Sequence, residues 1–365
     1  MSDQAESEYR FSFRQTQLEE ICGTAETQLV TPEIHTANDF YGQAATLKRY
    51  AGVPLDRPLK AVVEHGVHLD DIVWQLDMDA PVGTLLSCSP WRAEVHRQNS
   101  NKHCEPIGFG YLYAKHVVQE LAGEDPDSSH RRGTLAFPVH STHTISAQFF
   151  QAAYAKSLAS LAEEFQPVYV CGYWKDILDG NLHEYERRGI PIVTCGHMYD
   201  PDFMLRFHDL CRHFRFAVSN AIGTHLFQAV ASGCRFFFHK SSEIHFDIPE
   251  SDRPHCGQFN PMFQAAEREA ESLFSVPNGS ITDAQQAFVD RYIGTAYQRS
   301  PVELKRLIEK LEWWDRTRPR STQLGNGLSI YAPPALARRA VRPVQRWHKI
   351  KRSVTKRLPG GKRTA

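Results

Sequence analysis

Three short stretches carry side chains able to do chemistry. The first is "SNAIGTH", which follows the apolar run "FRFAV" and leads into "LFQAVASG". Ser219 and Asn220 fall at the carboxyl end of a strand, and Gly223 and Thr224 open a helix. A helix start offers unpaired N–H groups and a partial positive charge, which favour phosphate. Gly223 lets a ligand approach the backbone, and Ser219 and Thr224 add hydroxyl donors. The plain alternative is that Ser219 or Asn220 only caps the helix. The second stretch, "FPVHSTHTI", places His140, Ser141, Thr142 and His143 just after a strand. Imidazole and hydroxyl groups there suit a phosphate or a sugar hydroxyl, or the transfer of a proton. A simple polar turn is the competing reading. The third, "VVEHGVHLDD", puts Glu64, His65 and His68 at another strand end, with Asp70 and Asp71 close behind. Glu64 and His65 are each able to act as a general base. Alternate strand residues face opposite ways, so the two are not expected to point inward together.

These stretches need elements to position them. The second half alternates regularly. "SAQFFQAAYAKSLASLAEEF" reads as a helix, "PVYVCGYW" as a strand, "KDILDGNLHEYERRG" as a helix and "IPIVTCG" as a strand. "DPDFMLRFHDLCRHF", "FRFAVSN", "IGTHLFQAVASG" and "CRFFFH" continue the pattern. Short apolar runs separated by helices signal a parallel sheet with helices on both faces. Ligands of such doubly wound sheets sit at the carboxyl ends of the strands. In the first half, "TANDFYGQAATLKRYAG" reads as a helix capped by Thr36 or Asn38 and stopped at Gly52. "LKAVVEHGVH", "DIVWQLDM" and "GTLLSCSP" read as strands, and three helices close the chain after residue 260. The expected architecture is two α/β domains facing a cleft, with boundaries at 1–145 and 146–330, followed by a basic tail at 331–365.

Other chemistries are disfavoured. No Gly-x-Gly-x-x-Gly and no P-loop lysine motif is present. The eight cysteines form no Cys-x-x-Cys pair and read as buried, reduced thiols. The scattered histidines lack zinc-site spacing, and His-Glu-x-x-His is absent. Asp77 and Asp79 stand two apart, but a metal-binding Asp-x-Asp fits poorly with the doubly wound second half.

The sequences "TCGHMYDPDFMLRF" and "AVSNAIGTHLFQAVASG" resemble the donor-binding half of GT-B glycosyltransferases. The resemblance is strongest to bacterial enzymes that build surface polysaccharide and lipopolysaccharide, and it covers roughly residues 134 to 240. It implies two Rossmann-like domains and transfer of a sugar from a nucleotide-sugar to a glycan or lipid-linked acceptor. It places Ser219, Asn220, Gly223, Thr224 and His225 around the donor phosphates, and Gly196, His197 and the rest of "GHMYDP" near the nucleotide. The E-x-7-E arrangement of many retaining members is missing, so direct displacement with inversion is expected. That step needs a base to deprotonate the acceptor, for which His65 is favoured and Glu64 is the alternate. No essential metal or cofactor is expected. Nucleotide-sugar epimerases and polyol-phosphate transferases use related folds and remain alternatives, as does a non-enzymatic glycan- or nucleic-acid-binding protein.

The net charge of zero hides an asymmetry. From Arg338 to Arg363 there are eleven Lys or Arg and no acidic residue, leaving 31 basic against 42 acidic residues elsewhere. Interleaved with Leu, Val, Trp347 and Ile350, this tail suits an anionic membrane surface. A solvated tail and nucleic-acid binding are the alternatives, the latter not expected. No apolar run reaches the ~18 residues needed to span a bilayer, and the acidic start is unlike a secretory signal. The expected location is cytoplasmic, peripheral at the inner face of the membrane.

Overall fold

The computed structural model describes residues 15–24, 33–127, 129–141, 146–250, 253 and 256–317. The basic tail, Thr142 and His143 lie outside them. The strands are β1 (Val62–Val63), β2 (Thr84–Ser87), β3 (His103–Pro106), β4 (Thr134–Phe137), β5 (Ser146–Gln148), β6 (Val168–Cys171), β7 (Ile192–Val193), β8 (Phe216–Ser219), β9 (Arg235–Phe238) and β10 (His245–Asp247). The α-helices are α1 (Gln15–Thr24), α2 (Gln43–Tyr50), α3 (Gln75–Asp79), α4 (Pro90–Asn99), α5 (Ala114–Ala122), α6 (Gln151–Ala159) and α7 (Trp174–Leu178). They continue with α8 (His183–Glu186), α9 (Phe203–Cys211), α10 (Thr224–Ala231), α11 (Pro261–Leu273), α12 (Asp283–Ile293) and α13 (Pro301–Thr317).

The larger sheet has five parallel strands in the order β7-β6-β4-β8-β9. Both of its faces are buried, so its strands are apolar at successive positions rather than alternately polar. Leu135, Phe137, Ala217 and Phe236 pack with α9 and α10 on one face. Ala136, Val170, Phe216, Val218 and Phe237 pack with α6 and α8 on the other. The chain starts at β4 and moves outward through β6 and β7. It then returns to the opposite side of β4 to lay down β8 and β9. β4 and β8 are therefore neighbours whose connections leave in opposite directions, the place where open α/β sheets bind ligands. β4, the central strand, lies upstream of residue 146, where the second domain was expected to begin.

A smaller parallel sheet, β1-β2-β3, carries the first half. Leu59, Ala61, Val63, Leu86 and Ile107 pack against Ala44 and Leu47 of α2 and against Leu304, Ile308 and Leu311 of α13. The last described helix thus crosses back onto the first sheet, although sequence order grouped it with the second. β5 and β10 pair antiparallel as a separate ribbon.

Several elements differ from the sequence reading. "DIVWQLDM" is no strand. Its second half is α3, in which the Asp77 amide bonds the Trp74 carbonyl at 3.0 Å. The first helix starts only at Gln43, because Tyr41 (φ 56°) and Gly42 (φ 70°) are left-handed and break the turn before it. Neither Thr36 nor Asn38 caps it. Asn38 is buried and ties the next strand, donating to the Ala61 carbonyl and accepting from the Val63 amide, each at 2.8 Å. The long helix expected at 146–165 is β5, α6 and a 3-10 turn. The one expected at 175–189 is split in two at Gly180, which has φ 68°. Among the described residues no helix is long and apolar enough to cross a membrane.

Candidate functional site

A cavity of about 350 Å³ lies at the carboxyl ends of β4, β6, β7 and β8. Its walls come from the loops after these strands, Pro138–His140, Gly172–Trp174, Cys195–Gly196 and Ala221–His225. Phe203, Met204 and Phe207 of α9 close one side. Gly66 and Phe109, which follow β1 and β3, reach it from the smaller sheet. The strand ends of both sheets thus meet at one space. The size and the mixture of apolar walls with a few polar groups are those of a small-molecule site.

Five of the expected residues line this cavity: His140, Gly196, Gly223, Thr224 and His225. Gly223 is the N-cap of α10 and no side chain caps that helix. Of the first-turn N–H groups, that of Leu226 turns back on the Gly223 carbonyl at 3.1 Å, and those of Thr224 and His225 are left for water or a ligand. Thr224 Oγ1 accepts a 3.2 Å bond from the Val67 amide, which locks the loop after β1 to the start of α10. His225 lies face to face with Phe137 at 5.3 Å, and its Nε2 sits 3.2 Å from the Ala221 carbonyl. A carbonyl only accepts, so Nε2 carries the proton and Nδ1 offers a lone pair. Burial pushes the pKa of His225 down to about 4. His140 stacks on Tyr173 at 3.8 Å and 12°, and burial lowers its pKa as well. No Lys or Arg is among the described residues of the lining. A phosphate in this cavity would be met by backbone N–H groups and imidazoles.

The other expected residues have structural work. Ser219 Oγ donates to the Phe137 carbonyl at 2.6 Å and accepts from the Ala221 amide at 3.2 Å. Asn220 Oδ1 accepts from the Val139 amide at 2.8 Å. Both are buried and tie the ends of β4 and β8 together, shaping the site without lining it or capping α10. Ser141 Oγ bonds the Ala147 amide at 3.1 Å. His197 is buried beneath Trp174 and Tyr199 and accepts from the Tyr199 amide at Nδ1.

Glu64 and His65 part company. Glu64 is 2% exposed. Its Oε1 meets Arg92 Nε at 2.6 Å and His96 Nε2 at 2.8 Å, and its Oε2 accepts from the Cys88 amide at 3.1 Å. Burial opposes its charge, but Arg92 and His96 outweigh that and hold the carboxyl far below the usual carboxylate range. A carboxylate so held is a poor proton acceptor. His65, next to the cavity-lining Gly66, is 8% exposed. It packs against Trp74 at 3.8 Å and Phe40 at 5.3 Å, and its buried Nδ1 has no protein partner. Burial pushes its pKa down to about 4, against the opposing pull of Asp77 and Glu64. Asp77 and Asp79 do not act together. Asp77 is buried on His35 Nε2 at 2.8 Å, and Asp79 is exposed on Gln75. Among the described residues no three His, Cys, Asp or Glu side chains converge to hold a metal ion.

The aromatic wall was not anticipated. Tyr41, Phe137, Tyr173, Trp174, Phe203 and Phe207 all line the cavity. The available signal was position, since Tyr173 and Trp174 follow β6 within three residues.

His65, His68, His213 and His225 are all pushed down to about 4, with burial the largest cause each time. Such groups bind protons more readily in the unfolded chain. Their contribution is therefore full above about pH 6.5 and is lost as the pH falls toward about 4. The thermal midpoint should drop steadily over that window, and a flat profile would contradict their neutral burial.

No protein-family model matches the chain, and no curated protein matches it. The fold is that of an α/β protein with a cavity at the switch point of a parallel sheet.

Proposed function

We propose that this chain is a GT-B-type glycosyltransferase that moves a sugar from a nucleotide-sugar donor to a glycan or lipid-linked acceptor by direct displacement with inversion. The observation that carries the reading is the convergence of strand ends from two parallel sheets on one cavity that contains the uncapped start of α10. Donor phosphates sit at Gly223–His225, where the helix terminus offers N–H groups and positive potential. Because His225 and His140 are neutral when the cavity is empty, an anionic ligand raises their pKa and draws in protons. The aromatic residues beside them offer flat faces for a base or a sugar ring.

His65 serves as the base that takes the acceptor proton. It is neutral, as a proton acceptor must be, and Nδ1 is free of protein partners. Burial weakens its basicity, and negative charge brought by the donor restores it. Glu64 is left to hold the loop. The basic tail, by composition, draws the enzyme to an anionic membrane surface where lipid-linked acceptors reside.

The test is turnover. Incubation with a panel of nucleotide-sugars and glycan acceptors should release nucleotide from one donor class. His65→Gln should lower kcat by about 100-fold or more while donor affinity stays within a few-fold. Unchanged turnover in His65→Gln would remove that residue from the mechanism.

A further inference from the structure

We propose that Cys171 and Cys195 form an oxidant-sensitive dithiol in the cavity wall, a modification site for a small hydroperoxide. Cys171 ends β6, and Cys195 follows β7 by two residues. Their sulfurs are 3.7 Å apart, in van der Waals contact. The backbone around them is stitched together. The Gly172 amide donates to the Val193 carbonyl at 2.8 Å, and Thr194 Oγ1 donates to the Gly172 carbonyl at 3.0 Å. The separation of the two thiols is thus set by paired strands, not by mobile side chains alone. Both residues line the cavity. Cys171 is half-buried and Cys195 buried, so an oxidant entering the cavity meets Cys171 first. Burial pushes the Cys195 thiol well above its usual range, consistent with its acting second.

The other close thiols are differently placed. Cys22 Sγ is directed at Thr194 Oγ1, 3.8 Å away. Cys234 Sγ donates to the carbonyls of Cys211 and Phe214, and both Cys211 and Cys234 are sealed in the core.

The chemistry has two steps. The Cys171 thiolate attacks one oxygen of the hydroperoxide, the O–O bond breaks, and hydroxide leaves to become water. The Cys195 thiol then gives up its proton as its sulfur attacks Cys171 Sγ, and the sulfenic hydroxyl leaves with a proton as a second water. Two thiols and one hydrogen peroxide become one disulfide and two waters. Closing the sulfurs to about 2.05 Å draws the loop after β6 toward Gly196. That moves Tyr173, on which His140 stacks, and changes the shape of the cavity.

The proposal rests on the cavity geometry and stands or falls separately from the glycosyltransferase reading. The full-length protein is treated with hydrogen peroxide, and its remaining thiols are blocked with N-ethylmaleimide in denaturant. The expected intact mass carries adducts on two fewer of the eight cysteines than untreated protein, and peptide mapping links Cys171 to Cys195. In Cys195→Ser the first step lacks its partner, so dimedone should trap a sulfenic acid on Cys171. Eight alkylated thiols after oxidation, a cross-link joining any other pair, or no dimedone adduct in Cys195→Ser would overturn it.

Discussion

Glu64→Ala should lower the free energy of unfolding by about 3–5 kcal/mol, the usual cost of stranding one member of a buried ion pair. Arg92, 1% exposed, would keep its charge and lose its ion-pair partner. Its guanidinium also reaches the carbonyls of Asp70 at 2.7 Å and Ile72 at 2.9 Å. Loosening Arg92 therefore loosens the segment from Glu64 to Ile72, which brings Gly66 to the cavity with His65 beside it. Domains of this kind hold about 5–15 kcal/mol in all, so the loss is a large fraction of the total. Equilibrium urea unfolding measures it directly. Glu64→Gln should also destabilise, by less, because it keeps the shape and part of the hydrogen bonding while losing the charge. A Glu64→Gln protein with wild-type stability and no turnover would contradict the structural role and return Glu64 to the position of catalytic base.

Gly223→Val should abolish nucleotide binding, with a loss of about 100-fold or more, equivalent to roughly 2.7 kcal/mol, and leave the fold standing. Gly223 has φ −172°, an extended conformation open to any residue, so the effect is not one of backbone strain. The cause is contact. A Cβ at this position would stand 2.8 Å from Cε1 and 2.9 Å from Nδ1 of His225. The imidazole must move, and the added side chain occupies the mouth of α10. Because the neighbourhood is a cavity wall and not a packed core, the thermal midpoint of the empty protein should change little. Calorimetric titration with the nucleotide that binds the wild type gives the answer. Undiminished affinity would remove the start of α10 from the binding site.

The sequence was most legible where physics acts over a few neighbouring residues. "FRFAV", "VYVC" and "CRFFF" are apolar on both faces because their sheet is covered on both sides, and their alternation with helical patterns announced parallel strands. Of the positions singled out after those strands, His140, Gly196, Gly223, Thr224 and His225 line the cavity. Side-chain direction was the part that did not show. Ser219 and Asn220 are the types that bind phosphate, but equally the types that tie two loops together, and only the partners Phe137 and Val139 decide between these. Glu64 stood as the alternate base to His65 until Arg92 and His96, 28 and 32 residues away, were brought against it. β3, with the sequence "HCEP", has little intrinsic strand character and is paired through its register with β2. The break at Tyr41–Gly42 arises from packing on the 198–201 loop. The Tyr41 amide bonds the Met198 carbonyl at 2.5 Å, and a Cβ on Gly42 would collide with Pro201. Such long-range causes have no local signature.

The most direct test of the central claim is a thermal-shift panel of UDP, GDP, CMP, CDP and dTDP, without and with magnesium, on the wild type and on Gly223→Val. A ligand that binds the folded state raises the midpoint in proportion to the logarithm of its excess over the dissociation constant. The expected result is that one nucleotide stabilises the wild type without magnesium and leaves Gly223→Val unmoved. No shift with any nucleotide, or an equal shift in both proteins, would contradict a nucleotide site at the switch point of the sheet.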